Sequence, residues 1–164
     1  MPIHAFVDES IRKDRYILCA ALIPENRLGH ARSVVKDYLL PGQRRWHFNH
    51  EPEQRRRRII EAMARCSTVG VAVYEGRGPE ISTRRACLEA LVLDLVATDA
   101  SRLVIESRAG QDHRDRHCIA EVLARKPTNL SYTHLPPHSD PALWWPDAVA
   151  RSAQGADGNR SSLH

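Results

Sequence analysis

The sequence predicts an α/β protein built on a central mixed β-sheet of about five strands flanked by helices. Three observations predict it. Apolar residues recur at the strand period in some segments and at the helical period in others, in the order strand, strand, helix, helix, strand, helix, strand, helix, strand, helix. The run Leu103-Val104-Ile105 follows a long amphipathic segment and has the unbroken apolar character of an interior parallel strand, so the sheet is expected to be mixed. The length of 164 residues suits one domain, and 42% apolar against 27% charged residues excludes a wholly disordered chain, a collagen and a disulfide scaffold.

Taken in order, Ile3-His4-Ala5-Phe6-Val7 reads as the first strand and residues 16–23 as the second, with the polar stretch 8–14 as the hairpin loop between them. Pro24 opens a helix carrying Leu28, Ala31, Val34, Val35, Tyr38 and Leu39, which Pro41-Gly42 stops. Residues 43–50 read as irregular or a short strand. Asn49 and Pro52 then announce a second helix with Ile59, Ile60 and Met63 on one side. Val69, Val71 and Val73 alternate with small residues in a third strand over 68–74, followed by a loop over 75–79. Ile81, Leu88, Leu91, Val92, Leu95 and Val96 mark a long helix before the strand at 102–106. Asp112 is expected to cap a helix through Arg125, residues 129–134 to form the last strand, and Asp140-Pro141 to open a final helical segment. The domain is expected to span 1–153, with 154–164 a disordered tail.

The composition narrows the function classes. No apolar run approaches the ~20 residues of a membrane helix, and Met1-Pro2-Ile3-His4 lacks the features of a signal peptide, so a cytoplasmic location and no membrane partner are expected. Cys19, Cys66, Cys87 and Cys118 show no C-x-x-C spacing and lie in apolar stretches, which predicts buried reduced thiols. The net charge of +4 invites a polyanion, although the basic residues are almost all arginine, a bias that a GC-rich coding genome also produces.

Chemistry is sought first among the carboxylates. Asp8 and Glu106 each follow an apolar strand, so each is expected at the carboxyl end of its strand. If those strands are parallel neighbours, both acids share the sheet edge where ligands bind in open α/β folds. Asp147 falls on one helical face with Leu143 and Ala150. An ionised carboxylate on an apolar face needs an arginine, a backbone cap or a cation, and a hard divalent ion would satisfy all three acids together. The competing reading makes each acid a turn or cap residue, with Asp147 capping a helix that begins near Pro146. The metal reading requires the three carboxylates close together with no arginine already in the gap.

Phe6-Val7-Asp8-Glu9-Ser10 resembles the first-strand signature, two apolar residues then Asp-Glu-Ser-Gly, of the domain-of-unknown-function family 3800. Leu103-Val104-Ile105-Glu106 is similar to that family's later strand ending in an acid. Leu143-Trp144-Trp145-Pro146-Asp147-Ala148-Val149-Ala150 is similar to its closing helix, L-x-x-x-D-h-h-A. The resemblance covers residues 3–150 and implies a ribonuclease-H-like fold, an acidic site for Mg²⁺ or Mn²⁺ and nuclease activity. By motif it assigns Asp8, Glu106 and Asp147 to the catalytic and metal site, with Glu9 as a fourth member. Trp46-His47-Phe48 is similar to the family's histidine-bearing segment, which puts His47 at the rim to position water or shuttle a proton. Three residues differ from the pattern: Ser10 stands where Gly is usual, Glu106 where Asp is commoner, and Pro146 precedes the last acid.

An acidic site alone does not hold a polyanion. Residues 41–65 carry Arg44, Arg45, Arg55, Arg56, Arg57, Arg58 and Arg65 against Glu51, Glu53 and Glu61, an excess equal to that of the whole chain. Arg44, Arg45, Arg55 and Arg58 are the candidate nucleic-acid contacts, the alternative for 55–58 being a solvated helix face. His113 and His117 have the spacing of a zinc pair but lack the glutamate of the metalloprotease pattern, so exposed histidines or phosphate contacts are expected in place of zinc ligands. Trp144 and Trp145 point to different helix faces. One is therefore expected to pack inward and the other to stack on bases or, with an exposed strand edge, to support a homodimer. The leading expectation is a metal-dependent nuclease acting on RNA or DNA. The alternatives are a non-catalytic nucleic-acid- or partner-binding protein of the same fold and a hydrolase of small phosphate compounds.

Overall fold

A computed structural model describes residues 2–154, so most of the expected tail, from residue 155 on, lies outside the described residues. The chain opens with a long hairpin, β1 (Ile3–Arg12) and β2 (Arg15–Pro24), whose register sets Asp8 opposite Cys19 and Arg12 opposite Arg15. The first strand therefore does not stop at Asp8. Acidic side chains do not end a strand whose backbone groups are paired and whose alternate faces offer partners, and the turn falls instead at Lys13, with φ at +49°.

A single 3₁₀ turn, Glu25–Arg27, leads into α1 (Leu28–Lys36). That helix ends earlier than the apolar pattern predicts, because Tyr38 and Leu39 donate to the carbonyls of Val35 and Lys36 three residues back and leave the α-helical path. Both side chains still pack on the core. After an irregular connection come α2 (Glu53–Ala64) and β3 (Gly70–Arg77), antiparallel to β2. Residues 75–77, expected in a loop, belong to this strand. Gly76 marks close approach there and not a turn, since a Cβ would lie 2.5 Å from Thr83 Cγ2 of the following helix.

The remainder alternates: α3 (Glu80–Ala97), β4 (Arg102–Glu106), α4 (Asp112–Arg125), β5 (Ser131–Leu135) and, after a 3₁₀ turn over Pro141–Leu143, α5 (Trp144–Gln154). The sheet order is β3-β2-β1-β4-β5, with β4 parallel to both β1 and β5. The helix order and the mixed sheet agree with the expectation.

Strand alternation assigns the two faces. Ala5, Val7, Leu18, Leu103 and Ile105 pack with Leu88, Leu91 and Val92 of α3 and Ile119 and Val122 of α4. Phe6, Ala21, Ile23 and Val104 pack on the other side with residues of α1, α2 and α5. All four cysteines are buried and free. No helix among the described residues is long and apolar enough to cross a membrane.

Candidate functional site

The register of β1 and β4 ends with Val7 beside Ile105, so Asp8 and Glu106 are the next residues on two adjacent parallel strands. Each is in phase with a residue, Phe6 or Val104, that faces the layer of α1, α2 and α5. Asp147, only 1% exposed, enters from the first turn of α5 in that layer. Pro146 sits in the same first turn, where a missing N–H costs nothing. Ser10 extends β1 opposite Ile17 without a positive φ, so glycine is not required at that position. Neither departure disturbs the site.

The three acids are electrostatically coupled, while among the described residues the metal-capable group whose ligand atoms all lie within 4.8 Å of one another is Asp112, Asp115 and His134, elsewhere in the fold. Burial first, then the charges of Glu106 and Asp147, hold the Asp8 carboxyl well above the usual range. Glu106 is raised as well, chiefly by burial, against the opposing hydrogen bond with Asp8 and the charge of Arg45. Glu106 Oε2 is buried without a hydrogen-bond partner among the described residues. Asp147 Oδ2 accepts the backbone N–H of Phe48 at 3.0 Å, so this acid is bound to the connection between α1 and α2 and does not cap a helix starting at Pro146.

The gap holds an arginine, contrary to what the metal reading requires. Arg45 Nη1 lies 3.6 Å from Glu106 Oε1 and Nη2 lies 3.7 Å from Asp147 Oδ2. Both separations exceed a hydrogen bond. One guanidinium offsets at most one carboxylate charge. The segment carrying it is fixed on either side: the Trp46 indole donates to Val35 O at 2.9 Å and packs 5.6 Å from Trp144, and Phe48 holds Asp147.

With this geometry in view, the chain superposes on RNase HII in the solved PCNA:RNase HII complex from Archaeoglobus fulgidus with a TM-score of 0.58, at 12% sequence identity, over 93% of this chain and 73% of that one. The fold is ribonuclease-H-like. No protein-family model matches the chain, and no curated protein matches it.

Within this ribonuclease-H-like frame the remaining sequence candidates divide. Glu9 alternates to the opposite face of the sheet, where Arg84, Arg108 and the Tyr16 hydroxyl bind it, and is not among the charges acting on Asp8. His47 precedes Phe48 on the closing segment and stacks on His50 at 4.5 Å. Of the arginines, Arg44 and Arg58 are exposed, Arg45 is in the acid cluster, and Arg55 is turned inward to Glu51 at 2.8 Å and to the Tyr38 carbonyl. His113 and His117 are exposed as expected, the latter 3.0 Å from Glu121. Trp144 and Trp145 are both buried, correcting the expectation that one is surface-directed. Different faces of α5 are covered by different neighbours, and the two indoles donate to Pro137 O and Ala31 O. Neither ring offers a face to a base or to a second subunit.

Sequence reasoning missed a polar cluster on the opposite face. Arg84 of α3 makes a forked pair with Asp115 of α4, at 3.0 and 2.8 Å, and also reaches Glu9. Asp115 further accepts from Gln111 and meets His134 Nε2 at 3.0 Å. Asp112, expected as a cap, is already inside α4 and accepts from Ser107 Oγ and Arg108 N. Asp112, Asp115 and His134 bring three metal-capable atoms within 4.8 Å of one another. Both Asp115 oxygens are already bonded to Arg84, however, so this cluster is arranged as a salt-bridged brace, whereas Glu106 retains a buried, unbonded oxygen. The only signals in the sequence were the three-residue spacing of Asp112 and Asp115 and a histidine near a strand end.

Proposed function

We propose that this protein is a divalent-metal-dependent nuclease that hydrolyses phosphodiester bonds in RNA or DNA. The observation that carries the reading is the placement of Asp8 and Glu106 at adjacent positions on the parallel strands β1 and β4, with Asp147 of α5 linked to Glu106 through Arg45. The donor set suits Mg²⁺ or Mn²⁺ once Arg45 is displaced from the gap: all its atoms are hard carboxylate oxygens, and Glu106 Oε2 is buried with no donor to it among the described residues. Asp8, Glu106 and Asp147 would hold the ion, which when bound supplies charge stabilisation and an activated water. The protein's own part is positional. The Phe48 amide and the Trp46 anchor hold the α1–α2 connection against α5, and His47 on that connection is the candidate to orient a water or move a proton. Exposed Arg44 and Arg58 would meet the phosphates of the strand. The likeness to RNase HII and the motif resemblance to the domain-of-unknown-function family 3800 support the same reading.

The test is cleavage of single- and double-stranded RNA, DNA and hybrid duplexes with Mn²⁺ or Mg²⁺ and with chelator. Asp8→Asn and Asp147→Asn are expected to lower the metal-dependent rate by about 10²-fold or more while the circular dichroism spectrum stays native. Unchanged cleavage in both variants refutes the assignment. A second reading, a non-catalytic nucleic-acid-binding protein, is favoured by Arg45 lying against two of the acids. It predicts binding that survives chelation, with no cleavage under any metal.

A further inference from the structure

We propose that Arg45 is a built-in competitor of the divalent cation for Glu106 and Asp147, withdrawing from them when the ion binds. The inference rests on the metal reading of the acid cluster and adds a device that regulates it. Arg45 reaches two acids on two elements, Glu106 of β4 and Asp147 of α5, from a third, the α1–α2 connection. Its closest approaches there, 3.6 and 3.7 Å, are loose ion pairs, whereas the structural arginine Arg84 holds Asp115 by two hydrogen bonds of 2.8 and 3.0 Å. Arg84 is sealed in the core, while the Arg45 side chain is 21% exposed.

Besides a long bond from Arg45 Nε to Trp46 O at 3.4 Å, the backbone on its C-terminal side is held by the buried Trp46 indole on Val35 O and by the Phe48 amide on Asp147. The side chain can therefore leave without unmaking the connection. A guanidinium and a divalent ion drawn to the same carboxylates repel each other across a poorly solvated space, so the two occupancies are mutually unfavourable. In the absence of the ion, Arg45 supplies part of the positive charge that keeps three clustered acids tolerable.

The experiment is calorimetric titration of the full chain with Mn²⁺ alone, without nucleic acid, together with melting in chelator. Arg45→Ala is expected to bind Mn²⁺ about tenfold tighter or more than the parent and to melt lower in chelator, with the gap closing as Mn²⁺ is added. Arg45→Met, which keeps the apolar stem, gives the same comparison if the alanine variant does not fold. Arg27→Ala, which removes the same charge from an exposed position on the turn before α1, is expected to leave the affinity unchanged. Equal or weaker Mn²⁺ binding in the Arg45 variants, or an equal gain in Arg27→Ala, overturns the competitor role and leaves the metal site standing. No Mn²⁺ binding in any of these proteins, or binding undiminished by Asp8→Asn, overturns the metal site together with the inference.

Discussion

Asp8 is held at the meeting point of two other acids, and burial with those two charges raises its carboxyl well above the usual range. The folded chain therefore binds this proton more tightly than the unfolded chain does. The cost of ionising Asp8 in the folded protein is absent below the unfolded pKa near ~4, grows as pH rises toward the raised value, and is complete above it. Asp8→Asn removes that cost. In chelator it is expected to raise the melting temperature by about 2–4 °C at neutral pH, and the gain should vanish near pH 4 and below. Differential scanning calorimetry across that range checks the sign, and a gain that persists in acid would place the cause elsewhere. A residue that destabilises the metal-free fold is a mark of a site kept for function.

At the scale of elements, two polar devices lock the layers on opposite faces of one sheet. On the α5 face, Phe48 and Asp147 tie the α1–α2 connection to the last helix. On the other, Arg84 and Asp115 tie α3 to α4, with Glu9 of β1 and His134 of β5 joined to the pair. Burial pushes the Asp115 carboxyl up, but the hydrogen bonds from His134 and Arg84 and the Arg84 charge outweigh it and hold the group well below its ordinary value. Its stabilisation is thus fully present above the unfolded pKa near ~4 and is lost as pH falls through the lower folded value. Arg84→Met leaves Asp115 buried beside a neutral side chain and is expected to cost about 3–5 kcal/mol in urea unfolding at pH 7. The difference from the parent should shrink as the pH is taken below 4, where Asp115 in the variant takes up a proton.

For the whole molecule, the arginine-rich stretch contributes less free charge than its composition implies. Arg45 is among the acids, Arg55 is paired with Glu51 and Arg57 with Glu53, while Arg44, Arg58 and Arg65 are exposed. Arg44 and Arg58 as two phosphate contacts would give nucleic-acid binding a slope of about −1.4 to −1.8 in log K against log salt. A much steeper slope, read by fluorescence anisotropy, would show that cations outside this stretch take part. The element order, the interior character of β4 and the candidate acids were legible in the sequence because periodicity and the polarity switch at a strand end are local properties. The ends of β1 and β3 were not, since pairing with a neighbouring strand, as of Arg77 with Arg15, decides where a strand stops. The burial of both Trp144 and Trp145, the turning of Glu9 away from Asp8, the Arg84–Asp115 brace and the entry of Arg45 among the acids were likewise invisible. Each depends on which segments pack against which, and a one-dimensional pattern records which residues carry charge without recording which charges share a poorly solvated space. The chain alone determined the layers and named the acids; tertiary packing decided which of them meet and what cation stands beside them.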